Sequence, residues 1–249
     1  MNESQEKLIT STSTPLLEHL IELRSRLLKI VLFVCLLFFG LCYFSNDLYS
    51  IIAKPLMALL PASTSMIATE VTSTFSAPLK LTFVVSVFLA IPFILYQIWS
   101  FIAPGLYRNE KYFAIPLLLS SVILFYCGIV FAYFVILPLT FKFFITAGPQ
   151  GVTVMTDINK YLDFVLVFFF AFGISFEIPV ITLLLIKAGL VSKKQLHDMR
   201  SYIIVGCFVL AMFVSPPDVL SQTLLAVPMW LLFELGLLLA YLIPSKSQL

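Results

Sequence analysis

The chain is a series of long apolar runs separated by short polar segments. Four runs contain no charged residue, and each is near or above the ~18 residues typical of a transmembrane helix; they lie between Lys29 and Asp47, Lys80 and Arg108, Lys111 and Lys142, and Arg200 and Asp218. Two further runs, 164–186 and 221–243, are each interrupted by one carboxylate, Glu177 or Glu234. The pattern therefore predicts six transmembrane helices, at about 27–44, 77–102, 113–139, 161–186, 202–214 and 221–243.

These runs favour helices over strands. The strands of a membrane barrel alternate apolar and polar residues over segments of about ten residues, whereas the stretch 117–136 is apolar on nearly every side. A spanning segment must also satisfy its own backbone hydrogen bonds within the hydrocarbon. The sequence thus predicts an all-α, polytopic membrane protein. Its single transmembrane domain covers 27–243, between polar tails at 1–26 and 244–249.

Composition supports the same class. Hydrophobic residues make up 61% of the 249 residues and charged residues only 11%, against about half and a quarter in soluble domains. The net charge of +2 provides no strong field for binding nucleic acid. The longest outer segment, 45–74, is too small to form its own core. A soluble catalytic domain is therefore excluded.

Basic residues predict the orientation. With both termini inside, the inner segments hold eleven of the 15 Lys and Arg, and the outer segments hold four, Lys54, Lys80, Lys142 and Lys160. This asymmetry favours cytoplasmic termini by the positive-inside rule. Residues 1–14 lack the basic n-region and short apolar h-region of a cleaved signal peptide. We therefore expect the first helix to remain as an anchor.

The segment 16–28 has the pattern of an amphipathic helix and is expected to lie on the inner membrane surface before the chain enters the bilayer. Glu22 and Arg26 are four residues apart, in the favourable order for an ion pair. Glu110 is expected at the same face, in a turn rich in proline and glycine. The two carboxylates could be ordinary solvated charges, or they could bind two guanidinium groups, since arginine pairs with carboxylates bidentately.

Glu177 is the most costly residue of the chain, because a carboxylate at membrane depth costs a few kcal/mol. It is expected to face a polar cavity or a partner's polar side chain, or to be protonated, and Pro179 should break the helix beside it. Glu234 lies nearer the cytoplasmic end. No basic residue shares these depths, so no internal ion pair is expected. Prolines in the spans either bend helices around a concavity or reflect their frequency in membrane helices.

Other chemistries find little support. The four cysteines lie in apolar spans without CxxC spacing, and His19 and His197 stand alone, so neither a metal site nor a cofactor is predicted. The chain has no HExxH, GxSxG or GxxxxGK[ST] motif, so it is not expected to be an enzyme. One alternative remains. A proton-coupled secondary transporter could use Glu177 to carry a small solute, although no internal repeat is visible.

Several blocks, in order, resemble a known family. They are HLIELRSRL at 19–27, FSAPLKLTF at 75–83, YQIWSFIAPGLYRNE at 96–110, FGISFEIPV at 172–180 and SPPDVLSQTLLAVPMWLLFE at 215–234. The chain resembles, over nearly its whole length, the TatC subunit of the twin-arginine (Sec-independent) protein translocase. The resemblance implies six transmembrane helices in a concave, glove-like bundle.

The resemblance also implies a function. The family is the core receptor of the twin-arginine translocation system, in the inner membrane of bacteria, and binds the twin-arginine signal peptides of folded proteins at the cytoplasmic face. Single-span partners of the TatA and TatB types dock on it, export is driven by the protonmotive force, and the subunit is expected to be a homo-oligomer within the complex. No cofactor is implied.

Particular residues can be assigned by the same resemblance. Signal-peptide binding is carried over to Glu22, Glu110, Arg24 and Phe101. Partner docking is carried over to Glu177 in the concave face, and Asp218 and Gln222 match the outer hairpin. Pro55 matches a position in the first outer loop. The family is often basic at two positions after the loop glutamate, whereas here Lys111 is followed by Tyr112, which leaves the role of a second basic residue open.

The last two spans look short. The stretch 202–214 would be only about 20 Å long as a helix, against a hydrocarbon core of about 30 Å. It ends at Pro216 and Pro217, which cannot continue a helix and should force a tight reversal. The charge-free part of the last span, 219–233, is of similar length. Local thinning of the bilayer is therefore a hypothesis at this hairpin.

Overall fold

The computed structural model describes residues 3–57, 66–102, 111–146, 156–214 and 219–242, and over these ranges the chain is almost entirely helical. The α-helices are α1 (Glu3–Leu41), α2 (Ser45–Met57), α3 (Ser73–Ile102), α4 (Lys111–Phe131), α5 (Leu137–Thr146), α6 (Ile158–Ser175), α7 (Ile178–Lys187), α8 (Lys193–Asp198), α9 (Arg200–Val214) and α10 (Val219–Leu242). The prediction of an all-α membrane protein is confirmed.

Five described segments are long and apolar enough to cross a membrane: Leu20–Lys54, Ser73–Phe101, Ile115–Thr146, Ile158–Lys187 and Ser221–Tyr241. The sixth, α9, has 15 residues and is about 22 Å long. By contrast, α10 has 24 residues and reaches about 36 Å, which is enough to span. Of the two predicted short spans, only α9 is short. The helix of the last span, α10, continues through Glu234 instead of ending before it.

The first helix runs without interruption through the segment expected to lie on the membrane surface. Residues 16–28 and the first span share one helix, α1, of 39 residues. The sequence contains no glycine or proline between Leu16 and Phe39, so nothing in the backbone ends the helix there. The segment is thus helical and continuous with the first span, and its place on the membrane surface stays a prediction.

The chain then stays helical where a loop was expected. A 3-10 turn, Cys42–Phe44, leads directly into α2. Ala53 is buried, and Leu48, Tyr49 and Ile52 pack against the core of the bundle. These four positions repeat with helical spacing, which places one face of α2 on the bundle.

Two interruptions of the helices lie close to prolines. The turn at Phe176 and Glu177 separates α6 from α7, where Pro179 has no N–H to donate to the carbonyl of Ser175. A π-helical segment, Ala132–Ile136, joins α4 to α5 just before Pro138. Helices continue through other prolines, among them Pro78, Pro92, Pro116 and Pro228.

The bundle is centred on α6. In the span made by α6 and α7, 56% of the most apolar window is buried, compared with 6% in the first span. Its buried residues pack against α3, α4, α5 and α10, and the largest fully buried core side chains include Leu81, Leu137, Leu162, Phe168, Phe172 and Leu225. The first span is therefore the most peripheral and is open to lipid or to a partner.

The first helix packs antiparallel to α3. Phe33 lies 4.7 Å from Phe93 between ring centroids, and Phe38 lies 5.9 Å from Phe83. Earlier residues of α1 therefore lie beside later residues of α3. This register brings the segment around residues 22–26 to the C-terminal end of α3.

The opposite end of the bundle is held by Asp157, the N-cap of α6. Its Oδ1 accepts hydrogen bonds from the backbone N–H groups of Asn159 and Lys160, and its Oδ2 accepts from Thr69. Ile67 pairs with the backbone on both sides of Asp157. These bonds to the ionised form lower the pKa of Asp157 to about 2, with the Thr69 hydroxyl the largest cause.

Candidate functional site

Arg26 joins α1 to the end of α3. Its Nε and Nη2 donate to Oε1 of Glu22 at 3.0 and 2.5 Å, so the predicted pairing of these residues is confirmed. Its Nη1 donates to Oε1 of Gln97 at 3.1 Å, with longer contacts to the carbonyl oxygens of Gln97 at 3.5 Å and Ser100 at 3.3 Å. One guanidinium thus holds a carboxylate against the last turns of a neighbouring helix.

The two partners differ in exposure. The side chain of Arg26 is 17% exposed and that of Glu22 is 41% exposed. A cation at the C-terminus of a helix is favoured by the helix dipole, so α3 also stabilises the charge of Arg26. Within the described part of the chain, Oε2 of Glu22 accepts no hydrogen bond. Among the described residues, one oxygen of this partly exposed carboxylate is therefore left without a donor.

An open groove lies along this face of α1. Its volume is about 440 Å³, and it is lined by Ile21, Glu22, Ser25, Arg26 and Lys29. A second, mostly apolar groove follows along the same helix, lined by Ile21, Arg24, Ser25, Leu28, Lys29 and Leu32. The carboxylate therefore stands beside an apolar strip, an arrangement suited to a peptide that is basic at one end and apolar beyond it.

The other residues expected at this site are only partly accounted for. Arg24 is exposed on α1, and Phe101 lies in the last turn of α3, one residue beyond Ser100. Glu110 lies outside the described residues, so its position relative to Glu22 stays a prediction. Sequence reasoning missed Gln97 and Ser100. Their only signal was their place in the last turns of a helix that ends at the same membrane face.

Glu177 occupies the N-cap position of α7, within the turn that separates α6 from α7. The residue is half-buried, and its Oε1 is buried without a hydrogen-bond partner in the described part of the chain. The hydroxyl of Ser121, on α4, is a polar group near the carboxyl group. Glu177 thus sits at a break in the backbone with an unsatisfied oxygen, which a proton, water or a partner's donor could satisfy.

Glu234 differs from Glu177 because its carboxylate has a cationic partner. Nη2 of Arg200, at the start of α9, lies 2.7 Å from Oε2 of Glu234 on α10. The expectation that no internal ion pair forms was therefore wrong for Glu234. The long side chain of arginine carries its charge far from its own backbone position, so the depth of the α-carbon is a poor guide to the depth of the guanidinium.

The hairpin between α9 and α10 and the segment that contains α2 are described in part. Nε2 of Gln222 donates to the carbonyl of Phe208 at 3.0 Å and so connects α10 to α9. Asp218, Pro216 and Pro217 lie outside the described residues.

Pro55 lies within α2 rather than in a loop. It has no N–H for the carbonyl of Ile51, four residues earlier, and that carbonyl instead accepts from the hydroxyl of Tyr133 at 3.0 Å.

The fold defines the class of protein. The structure matches two crystal structures described as the twin-arginine translocase receptor TatC, each with a TM-score of 0.81. The first is 38% identical and covers 90% of this chain and 98% of the other, and the second, in DDM, is 37% identical and covers 89% and 99%. The molecule is therefore a multi-pass helical membrane protein with the fold of that receptor.

Sequence comparison gives the family. The family model for "Sec-independent protein translocase protein (TatC)" matches residues 18–228. Proteins described as Sec-independent protein translocase protein TatC are 56% identical in Azotobacter chroococcum mcd 1 and 50% identical in Escherichia coli K12, each over 94% of this chain and 92% or 91% of the relative. The chain belongs to the TatC family of translocase proteins, and it is not an enzyme.

Proposed function

We propose that this chain is the receptor subunit of a twin-arginine translocation system, binding twin-arginine signal peptides of folded proteins at the cytoplasmic face of a bacterial inner membrane. Its membership of the TatC family supports the proposal, as does its likeness to a crystal structure named for the twin-arginine translocase receptor. In this proposal both termini are cytoplasmic, in agreement with the excess of Lys and Arg in the inner segments.

The observation that carries the proposal is the exposed carboxylate of Glu22 beside the end of α3. Arg26 occupies one of its oxygens, the other accepts no hydrogen bond from the described residues, and Glu22 lines an open groove. A guanidinium of the signal peptide binds this oxygen through charge-assisted hydrogen bonds. Glu110 supplies the acceptor for the second guanidinium, with Arg24 and Phe101 at the edge of the site.

The apolar part of the signal peptide binds beyond the charges. Leu28 and Leu32 are exposed and line the second groove of α1. They lie on the turns of the helix that follow Glu22. Removing a leucine side chain from water contributes about 1.5–3 kcal/mol. Charge contacts therefore give the specificity of the site, and apolar burial gives most of its affinity.

Partner subunits bind elsewhere on the bundle in this proposal. Glu177, with its unsatisfied Oε1, lies in the surface that receives single-span subunits of the TatA and TatB types, and Gln222 and Asp218 belong to the same docking region at the outer hairpin. Occupancy of the peptide site changes these contacts and recruits further subunits, and copies of the chain associate within the complex. Export uses the protonmotive force.

The transporter alternative depends on the same buried carboxylate. An unsatisfied acid at a helix break could relay protons, but family membership favours a translocase subunit. Proton flux dependent on a small solute, in liposomes containing this protein alone, would support the transporter instead.

Peptide affinity tests the proposal. We expect Glu22→Gln and Glu110→Gln each to weaken binding of a fluorescent twin-arginine peptide to the purified protein, and the double variant to abolish it. Glu70→Gln is the matched control, because Glu70 is an exposed glutamate on the segment before α3, at the opposite end of that helix. Unchanged affinity in the double variant would overturn the proposal.

A further inference from the structure

Arg26 is anchored to α3 independently of Glu22. It reaches three acceptors on that helix, Oε1 and the carbonyl of Gln97 and the carbonyl of Ser100. Gln97 is buried, so its side chain is itself held in place. The guanidinium is planar and its donors have fixed directions. Its orientation is therefore set by the end of α3, and Glu22 has to adapt to it.

This anchoring fixes the carboxylate of Glu22. Both donors of Arg26 that reach it, Nε and Nη2, converge on the single oxygen Oε1. The terminal torsion of a glutamate is otherwise broad, so a free carboxylate would turn and exchange its two oxygens. Held by two bonds, the group keeps Oε2 in one direction.

We propose that Arg26 is a positioning residue that makes the peptide site selective for arginine over lysine. The inference rests on the proposed function, in which Glu22 receives a guanidinium. Arg26 itself shows how a guanidinium binds one oxygen, with two N–H groups directed at the same atom. A second guanidinium can repeat this arrangement on Oε2, whereas an ammonium has three donors at tetrahedral directions and binds as a point charge. A fixed Oε2 therefore favours binding of a planar guanidinium over binding of an ammonium group.

The exchange Arg26→Lys isolates this geometric effect. A lysine keeps the positive charge next to Glu22, so the electrostatic repulsion of an incoming cation is nearly unchanged. It has one ammonium group, which cannot hold Glu22 and the carbonyls of α3 in a fixed plane at once. We expect the carboxylate to become mobile and to accept lysine and arginine more equally.

The experiment compares two labelled signal peptides that differ only in having two arginines or two lysines, bound to the detergent-solubilised full chain at one salt concentration. We expect Arg26→Lys to reduce the ratio of their affinities about tenfold, the equivalent of one charge-assisted hydrogen bond. Arg200→Lys is the matched control, since Arg200 also pairs with a glutamate but on α9 and α10. The ratio of the two peptide affinities in Arg200→Lys should equal that of the wild type.

Gln97→Met provides a second route to the same test. It removes one acceptor of Arg26 at nearly constant volume, and we expect a smaller reduction of the affinity ratio than in Arg26→Lys. If both variants bind more weakly but keep the wild-type ratio, the role of Arg26 is structural and the inference is wrong. If Glu22→Gln also keeps that ratio, or the wild type shows no preference for arginine, the proposed function itself fails.

Discussion

Oδ2 of Asp157 accepts two hydrogen bonds from Thr69, one from the hydroxyl at 2.6 Å and one from the backbone N–H at 3.0 Å, across 88 positions of sequence. The contact ties the segment before α3 to the start of α6. Because α6 is the centre of the bundle, this capping group connects the segment before α3 to the core.

Asp157 gives this end of the bundle a pH dependence. Its pKa falls from 3.8 in the unfolded chain to about 2 in the fold, so its stabilisation is fully present above pH 3.8 and is lost as the pH falls toward 2. Asp157→Asn should lower the melting temperature at pH 7, and the difference from the wild type should shrink between pH 4 and 2. Thr69→Val, which keeps the backbone donor, should have the smaller effect. A difference independent of pH would contradict the ionised cap.

The close crossing of α4 and α6 depends on glycine. A Cβ on Gly128 would lie 2.5 Å from the carbonyl oxygen of Phe172, which is too close for any side chain. We expect Gly128→Ala to destabilise the protein by about 1–3 kcal/mol, since two buried helices must separate.

Gly206 is the control for that substitution. It is also helical, but an added Cβ there has nothing within 4 Å. Gly206→Ala should therefore be neutral or stabilising by about 0.5–1 kcal/mol. Equal losses of stability in the two variants, measured by thermal or denaturant unfolding in detergent, would refute the close-packing explanation.

The pair of Arg200 and Glu234 should couple α9 to α10. Both side chains are partly exposed, at 40% and 25%, so the coupling is expected to be modest, about 1 kcal/mol in a double-mutant cycle. The variants are Arg200→Gln, Glu234→Gln and their combination, compared by denaturant unfolding. Strictly additive effects would mean that the ion pair contributes nothing to stability.

Glu177 should separate partner assembly from peptide binding. Glu177→Gln keeps the shape of the side chain but cannot ionise, and Glu177→Ala removes the unsatisfied oxygen altogether. We expect both variants to bind the twin-arginine peptide normally and Glu177→Ala to lose the complex with single-span partners on native gels. An unchanged complex would exclude the docking role that we propose for this residue.

The sequence predicts the helical class well because spans depend on composition over about 20 residues, which local contacts hardly alter. It predicts Glu22 with Arg26 because the pair is local, at helical spacing. The sequence does not predict the contacts between distant segments. The bonds of Arg26 to Gln97 and of Thr69 to Asp157 depend on which helix ends meet, and the pair of Arg200 with Glu234 depends on the reach of a side chain across two helices.

The most direct test of the receptor proposal is a proximity measurement on the full chain. The four native cysteines are replaced, and Glu22→Cys, Glu110→Cys and Glu70→Cys are combined in turn with a signal peptide that carries a cysteine beside its arginine pair. We predict disulfide crosslinks from positions 22 and 110 and none from position 70, which lies before α3 at the opposite end of that helix. Crosslinking from position 70, or from neither 22 nor 110, would contradict a twin-arginine site at the end of α3.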